Sequence, residues 1–149
     1  MKKEIYYTLL SDGSSDRMLM PIITWALRQN LGQEILIQPD WANLYHTSKE
    51  RNLSEKISST LTNFPCDVLF VHRDSEKKEK EIFESRKEEI ESAWTSAVKN
   101  NEKHVPVIPI RMTEAWLLID ELAIRKASGN PNGTIPIQLP AIATLETLH

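Results

Sequence analysis

Acidic side chains recur in this sequence directly after apolar runs that are typical of buried strands. Asp12 and Asp16 follow the first such run, Asp74 and Glu76 follow a later one, and Glu114 follows the last. Acidic residues spaced two apart are a common way to place two oxygen donors on a hard divalent cation such as Mg²⁺. These residues therefore predict a metal site, provided that the elements which carry them bring the carboxylates together.

The elements expected to position these residues alternate between strands and helices. The predicted strands are 4–10, 34–38, 67–71 and 105–110, and the predicted helices are 15–30, 54–63, 77–100 and 114–126. Such alternation predicts an α/β fold, with a central, mostly parallel sheet of about four strands flanked by helices. In sheets of this kind ligands bind outside the carboxyl ends of the strands, where these acidic residues lie.

Local signals set the expected boundaries of these elements. Ser14 or Ser15 is expected to cap the first helix, and Pro39 is expected to close the second strand. Two prolines in the fourth strand, Pro106 and Pro109, indicate an edge position or an irregular ladder. Helical spacing predicts two buried stripes, formed by Met18, Ile22, Ile23 and Ala26 in the first helix and by Phe83, Ile90, Trp94 and Ala97 in the third.

Composition limits the class of protein. The 149 residues are 40% hydrophobic and 26% charged, as in a globular domain, and we expect one domain over 1–133 with a tail, 134–149, that begins a missing element. A single cysteine, Cys66, and apolar runs far shorter than roughly 18 residues predict a cytoplasmic protein outside the membrane. A net charge of −3 argues against nonspecific coating of nucleic acid, but not against a metal-dependent nuclease.

Structural interpretations compete with the functional ones. Asp16 and Glu114 each lie near the start of a predicted helix, where a carboxylate stabilises the helix dipole. Asp74 and Glu76 also fit a polar loop, and for His72 a structural role, bonded to the backbone, is slightly favoured. No dinucleotide fingerprint, Walker loop or serine-hydrolase elbow is present in the sequence.

Two of these segments carry a resemblance to a known family. The segments 10–16 and 70–76 resemble the two acidic motifs of the TOPRIM (topoisomerase-primase) superfamily. With segments 113–120 and 129–133, the chain is similar to small bacterial TOPRIM-like proteins related to the overcoming-lysogenisation-defect nucleases. The resemblance covers most of residues 4–133.

The resemblance implies a compact fold around a parallel sheet, a general acid or base in the first motif, and a pair of aspartates that binds Mg²⁺ or Mn²⁺ in the second. Asp12 stands where the family has a glutamate. The aspartate pair is represented by Asp74 and Glu76 or, in the other register, by His72 and Asp74.

The leading hypothesis is a divalent-metal-dependent phosphodiester hydrolase, a DNA or RNA nuclease, whose relatives suggest a role in bacterial defence against phage. Asp74, Glu76 and Glu114 are expected to hold the metal, Asp16 to complete its shell, and Asp12 to position or deprotonate water beside it. Binding of the substrate is expected to use Gly13, Arg73 and Arg111.

Other hypotheses remain open. One is a catalytically degenerate TOPRIM-like module that binds a partner or a nucleic-acid end, and a partner ATPase is a further expectation. Another is a hydrolase of nucleotides or small phosphoesters, which uses the same metal chemistry. The least specific is an α/β domain without an assigned role.

Overall fold

The computed structural model describes residues 4–31, 34–42, 52–75, 80–98, 102–109 and 121–137. The elements are β1 (Glu4–Leu10), a 3₁₀ turn (Ser15–Met18), α1 (Leu19–Leu31), β2 (Leu36–Ala42), α2 (Leu53–Asn63), β3 (Val68–His72), α3 (Lys80–Ala97), β4 (Lys103–Val107) and α4 (Glu121–Ala127). The four strands form one parallel sheet in the order β2-β1-β3-β4. The predicted α/β class, with helices flanking a parallel sheet, is confirmed, and the arrangement is Rossmann-like.

The order of the strands creates a switch point between β1 and β3. The chain leaves β1 towards β2 on one side, and it leaves β3 towards β4 on the other. At such a point the two connections diverge and leave a crevice at the carboxyl ends of the central strands. The turn after β1 and the extension of β3 border this crevice.

Two apolar clusters cover the two faces of the sheet. On one face Leu19 and Ile23 of α1 pack against the sheet; on the other, Ile57 of α2 and Ile90 of α3 do so. Neighbouring strand residues divide between the clusters, as strand geometry requires: Leu9 and Phe70 face α1, whereas Leu10 and Val71 face α2 and α3. The side to which a strand residue points therefore decides which helices it meets.

The second strand runs further than the sequence predicts. β2 continues to Ala42, and Pro39 lies within it, opposite Tyr7 of β1. The prediction that Pro39 closes the strand is wrong. In the described part of the sheet β2 pairs with β1 alone, and an edge strand tolerates a residue without an N–H because one of its sides needs no ladder bond. Of the two alternatives predicted for the fourth strand, the edge position is the one found: in the described part of the sheet β4 pairs with β3 alone.

The first helix begins later than predicted and buries different residues. A 3₁₀ turn replaces its first turn, and Ser14 precedes that turn without a capping hydrogen bond from its side chain. Met18 and Ile22 are exposed, so their prediction as core residues is wrong, whereas Ile23 is buried as expected. The tighter turn changes the rotation per residue before α1, which moves the buried stripe onto Leu19 and Ile23.

A capping box fixes the start of α2. The Asn52 side chain accepts a hydrogen bond from the Glu55 N–H at 2.9 Å, and the Glu55 carboxylate accepts one from the Asn52 N–H at 3.3 Å. This reciprocal pair satisfies two N–H groups that the first turn would otherwise leave free. It also sets the position of Lys56, the next residue along the helix.

Parts of several predictions lie outside the described residues, among them the ends of the predicted helix 77–100 and the last residue of the predicted strand 105–110, and two larger segments. These are the start of the predicted helix 114–126, of which the structure describes α4 from Glu121, and most of the predicted tail, 138–149. None of the described helices has the length and apolar character needed to cross a membrane.

We expect Leu69→Ala to lower the free energy of unfolding by about 2–5 kcal/mol. Leu69 of β3 is fully buried in the cluster that includes Ile57 of α2 and Ile90 of α3, and the smaller side chain leaves a cavity. Urea unfolding followed by circular dichroism measures the change. Leu122→Ala is the matched control: this leucine of α4 is 53% exposed, so its change should stay within about 0.5 kcal/mol. Equal losses in the two variants would contradict the assignment of the core.

Candidate metal centre

The site begins where β1 and β3 end side by side. Leu10, the last residue of β1, pairs with Val71, the penultimate residue of β3. The turn that contains Asp12 and Gly13 therefore starts next to His72. The 3₁₀ turn that follows brings Asp16 back over the carboxyl end of β3.

Hydrogen bonds to the last residue of β4 and to the chain just after it keep the extension of β3 straight. The Arg73 N–H donates to the Val107 carbonyl at 3.0 Å, and the Ser75 N–H donates to the Pro109 carbonyl at 3.3 Å. The Ser75 hydroxyl donates to the same Pro109 oxygen at 2.9 Å. Because residues 72–75 remain extended, their side chains alternate between the two faces of the sheet.

On the α1 face, His72 lies between two carboxylates. Its Nδ1 is 3.4 Å from Asp16 Oδ2, and its Nε2 is 3.3 Å from Asp74 Oδ1. The three residues can each offer one ligand atom, all within 4.8 Å of one another. This group, Asp16, His72 and Asp74, is called the triad below.

Burial within the triad is graded. The side chains of His72 and Asp16 are 1% and 8% exposed, whereas that of Asp74 is 34% exposed. Asp16 Oδ2 also accepts a hydrogen bond from the Gly13 N–H at 3.0 Å, which ties the buried carboxylate to the turn after β1. The triad is therefore closed on the Asp16 side and open to solvent on the Asp74 side.

The donor set of the triad fits a divalent cation. Two carboxylates and an imidazole supply oxygen and nitrogen ligands, and they are held near one another by separate elements. A histidine that binds a metal through one ring nitrogen commonly donates its other N–H to a carboxylate, which fixes the ring. His72, with a carboxylate at each ring nitrogen, suits this arrangement.

On the opposite face, Asp12 contacts cations. Arg73 binds Asp12 Oδ2, and Lys56 Nζ of α2 lies 3.2 Å from Asp12 Oδ1. Arg73 also contacts Glu89 Oε1 of α3 at 2.6 Å, and Arg86 contacts Glu89 Oε2 at 2.8 Å. We call these five residues, Asp12, Lys56, Arg73, Arg86 and Glu89, the ion-pair cluster.

The ion-pair cluster shifts the pKa values of its members towards their charged forms. Partial burial alone would raise the pKa of Asp12, but the charge of Arg73 and the hydrogen bond from Lys56 outweigh it, and the pKa lies below its usual range. Glu89 behaves in the same way: burial is outweighed by Arg86 and Arg73, and its pKa is lowered. Burial would lower the pKa of Arg73, but Asp12 and Glu89 raise it overall.

Arg86 connects the groups of residues on the two faces of the sheet. Arg86 donates from Nε to the backbone carbonyl of Asp74 at 3.2 Å. The guanidinium of Arg86 thus connects the ion-pair cluster to the extension that carries the triad. Movement of this extension would disturb both groups of residues.

The structure brings together two of the residues predicted to bind a metal, Asp16 and Asp74. It places Asp12 with the cations of the other face, and it sets Gly13 against Asp16, so that a Cβ on Gly13 would lie 3.3 Å from Asp16 Oδ2. The predicted residues Glu76, Arg111 and Glu114 lie outside the described residues.

The sequence favours a structural role for His72 slightly, but its spacing of two from Asp74, the alternative register of the acidic motif, is a signal for a shared face. Two members of the ion-pair cluster have no such signal. Lys56 and Glu89 were assigned no role, and no spacing could reveal them, because they lie 44 residues after Asp12 and 16 after Arg73 in the chain.

Comparisons with models of protein families, with curated proteins and with solved structures give no match to this chain. The geometry of the site therefore carries the functional argument.

We expect Glu89→Gln to be less stable than the wild type at pH 7, by a margin that is smaller at pH 3. A carboxylate with a lowered pKa stabilises the fold above its unfolded pKa, about 4.3 for glutamate, and that stabilisation disappears as the pH falls through the folded pKa. Urea unfolding at the two pH values measures the difference. Glu88→Gln, a change at the exposed neighbour on α3, is the control and should have no effect at either pH. A gap between Glu89→Gln and the wild type that persists unchanged at pH 3 would argue against the ion pairs.

Proposed function

We propose that this protein is a divalent-metal-dependent phosphodiester hydrolase that acts on nucleic acid, and that the triad is the core of its metal centre. The observation that carries the proposal is the meeting of Asp16, His72 and Asp74 at the switch point between β1 and β3. Ligands bind at this place in open parallel sheets. A metal site there lies within reach of a substrate.

The graded burial assigns different roles within the triad. Asp74 and His72 Nε2 would hold the metal, because Asp74 is the most exposed member of the triad and its Oδ1 lies 3.3 Å from His72 Nε2. Asp16 Oδ2, 3.4 Å from His72 Nδ1, would orient the ring, because this carboxylate is buried and is itself held by the Gly13 N–H. Glu76 and Glu114, at their predicted positions after β3 and β4, remain candidates for additional ligands.

A divalent cation at this site supplies two effects: it polarises a phosphate, and it lowers the pKa of a water molecule. The chain supplies the rest. The triad would hold the cation, the closed side formed by Asp16 keeps bulk water away from His72, and Arg73 offers its guanidinium on the opposite face of the sheet. Arginine matches the geometry of a phosphate better than lysine does, because its fork makes two parallel hydrogen bonds.

The ligand set favours Mn²⁺ over Mg²⁺. Imidazole nitrogen suits transition metals, whereas Mg²⁺ prefers oxygen ligands and water. The sequence resemblance pointed to both ions, and a histidine in the site shifts the balance between them. A site with a single imidazole and one or two carboxylates still leaves room for water and phosphate.

The topology supports the TOPRIM-like resemblance. Its two acidic motifs follow β1 and β3, which are neighbours in the sheet, so both motifs lie at one edge. The register that pairs His72 with Asp74 puts both side chains on the α1 face beside Asp16. Nuclease activity, and with it a role in defence against phage, is the expectation that this resemblance adds.

One observation favours a second candidate, a catalytically degenerate module that binds nucleic acid or a partner protein. Asp12 stands where the family has its general acid or base, and here it is bound to Arg73 and Lys56. A carboxylate whose pKa is lowered by two cations is a weak base near neutral pH. Metal binding without cleavage would identify this module.

We expect Asp74→Asn to lose measurable Mn²⁺ binding and Asp16→Asn to weaken it by about 10–100-fold, because the first removes a ligand and the second removes the group that holds His72. Isothermal titration calorimetry with Mn²⁺ measures both, and the same titration with Mg²⁺ should give weaker binding. Asp67→Asn is the matched control, since Asp67 precedes β3 at the amino ends of the strands, whereas the triad lies at their carboxyl ends. Wild-type affinity in Asp74→Asn would refute the proposed centre.

We expect the wild-type protein to cleave single-stranded DNA or RNA with Mn²⁺, to be inactive in EDTA, and to lose cleavage in Asp74→Asn but not in Asp67→Asn. Gel analysis of labelled oligonucleotides and plasmid DNA, with circular dichroism to show that each variant is folded, provides the measurement. If a wild-type protein that binds Mn²⁺ cleaves none of these substrates, the second candidate replaces the first.

A further inference from the structure

The ion-pair cluster has the composition of an anion-binding site that already holds an anion. Lys56 and Arg73 come from α2 and from the end of β3, and they bind opposite oxygens of the Asp12 carboxylate. Lysine and arginine recognise phosphate with the same donors that they present to a carboxylate. The position of the Asp12 carboxylate is therefore one that a phosphate can occupy.

Exposure shows from which side a phosphate would arrive. The side chains of Lys56 and Arg73 are 20% and 22% exposed, whereas that of Asp12 is 45% exposed. The carboxylate thus lies on the solvent side of the two cations. An incoming anion can reach the Asp12 carboxylate from solvent and compete with it for the two cations.

We propose that Lys56 and Arg73 form a binding site for a backbone phosphate of a polynucleotide, and that Asp12 fills this site in the free protein. The proposal rests on the proposed function in that the ligand is a nucleic acid. It gives Lys56, until now only a partner of Asp12, a role in binding the substrate. It gives Asp12 the role of a competitor for that site.

Glu89 keeps the site in place when Asp12 leaves. Arg73 uses one terminal nitrogen for Asp12 and the other for Glu89, and Glu89 is fixed in turn by Arg86. Displacement of Asp12 therefore leaves half of the Arg73 fork anchored. It also leaves three positive side chains and one negative one in the cluster, which favours a bound phosphate.

The position of the site relative to the triad selects the class of substrate. Arg73 lies between His72 and Asp74 in an extended segment, so its side chain is on the opposite face from theirs. One phosphate group cannot be held on both faces at once. A ligand that uses the triad and Arg73 together therefore carries more than one phosphate, which favours a polynucleotide over a small phosphoester.

Binding of a fluorescein-labelled single-stranded oligonucleotide, followed by fluorescence anisotropy in EDTA, tests the proposal without a metal. We expect Asp12→Asn to bind about tenfold more tightly than the wild type, because the competing carboxylate is gone. Adding Lys56→Gln to Asp12→Asn should remove the gain and reduce the slope of log affinity against log salt by about one.

Two controls separate this site from general charge effects. Asp67→Asn removes a negative charge at the opposite edge of the sheet, and Lys87→Gln removes an exposed positive charge on α3. Asp67→Asn should bind like the wild type, and Lys87→Gln added to Asp12→Asn should retain the gain. Lys56→Gln alone keeps the proposal testable if Asp12→Asn does not fold, because it should bind more weakly than Lys87→Gln alone.

Equal affinity of Asp12→Asn and the wild type overturns the proposal, and so does a gain that survives Lys56→Gln or that Asp67→Asn reproduces. In a poorly folded Asp12→Asn, equal affinity of the Lys56 and Lys87 variants overturns it. Because EDTA is present throughout, the outcome is independent of the metal centre. Tighter binding by Asp12→Asn together with unchanged Mn²⁺ binding by Asp74→Asn would refute the hydrolase and retain the phosphate site.

Discussion

Parallel pairing of β1 with β3 determines where every residue of the site can lie. The pairing sets Leu10 beside Val71, so the turn after β1 and the extension of β3 leave the sheet as neighbours. The connections of the two strands run to opposite sides, which opens the space between the turns. Hydrogen bonds from Arg73 to Val107 at the end of β4, and from Ser75 to Pro109 just after it, then hold the extension straight. Without this last contact the alternation of side chains would end at His72, and the two groups of charged residues would not be separated.

The triad and the ion-pair cluster lie on opposite faces of the sheet, which keeps the carboxylates of the triad apart from the cations of the cluster. Seven charged side chains and a buried histidine meet at the carboxyl ends of the strands, and burial of a charge without a partner is costly. The ion-pair cluster meets this cost by mutual neutralisation, which is visible in the lowered pKa of Asp12 and Glu89 and the raised pKa of Arg73. The triad uses a different solution, in which Asp16 accepts the Gly13 N–H and faces the His72 ring. Two carboxylates beside a histidine, kept apart from nearby lysine and arginine, form a site that a cation can still enter.

Much of the fold was predictable because its signals are local to short segments of sequence. These signals are the periodicity of strands and helices and the position of prolines in edge strands. The class, the parallel sheet and the edge position of β4 followed from these signals. The boundaries of the elements were less predictable. Pro39 predicted the end of the second strand because the sequence does not show that β2 is an edge strand, and a 3₁₀ turn shifted the buried stripe of α1.

The location of the site was predictable from the sequence, but the contacts within it were not. The sequence shows how many residues separate a side chain from the end of a strand, but not the face of the sheet on which that side chain lies. Contacts depend on this face, and for His72 and Arg73 it is set by hydrogen bonds to residues 107–109. The pairing of Asp12 with Lys56 joins separate elements, and no local signal anticipates it.

The two proposals together give Asp12 a role that depends on the substrate. In the free protein its carboxylate is bound to Lys56 and Arg73, and a lowered pKa makes it a weak base at neutral pH. A phosphate that takes both cations removes the two interactions that lower this pKa, while partial burial, which raises it, remains. Displaced Asp12 is then a stronger base, still attached to the turn that carries Gly13 next to the metal centre. On this argument the aspartate does not weaken the resemblance to a family that has a glutamate there: the shorter side chain reaches the two cations when substrate is absent and becomes available when substrate binds.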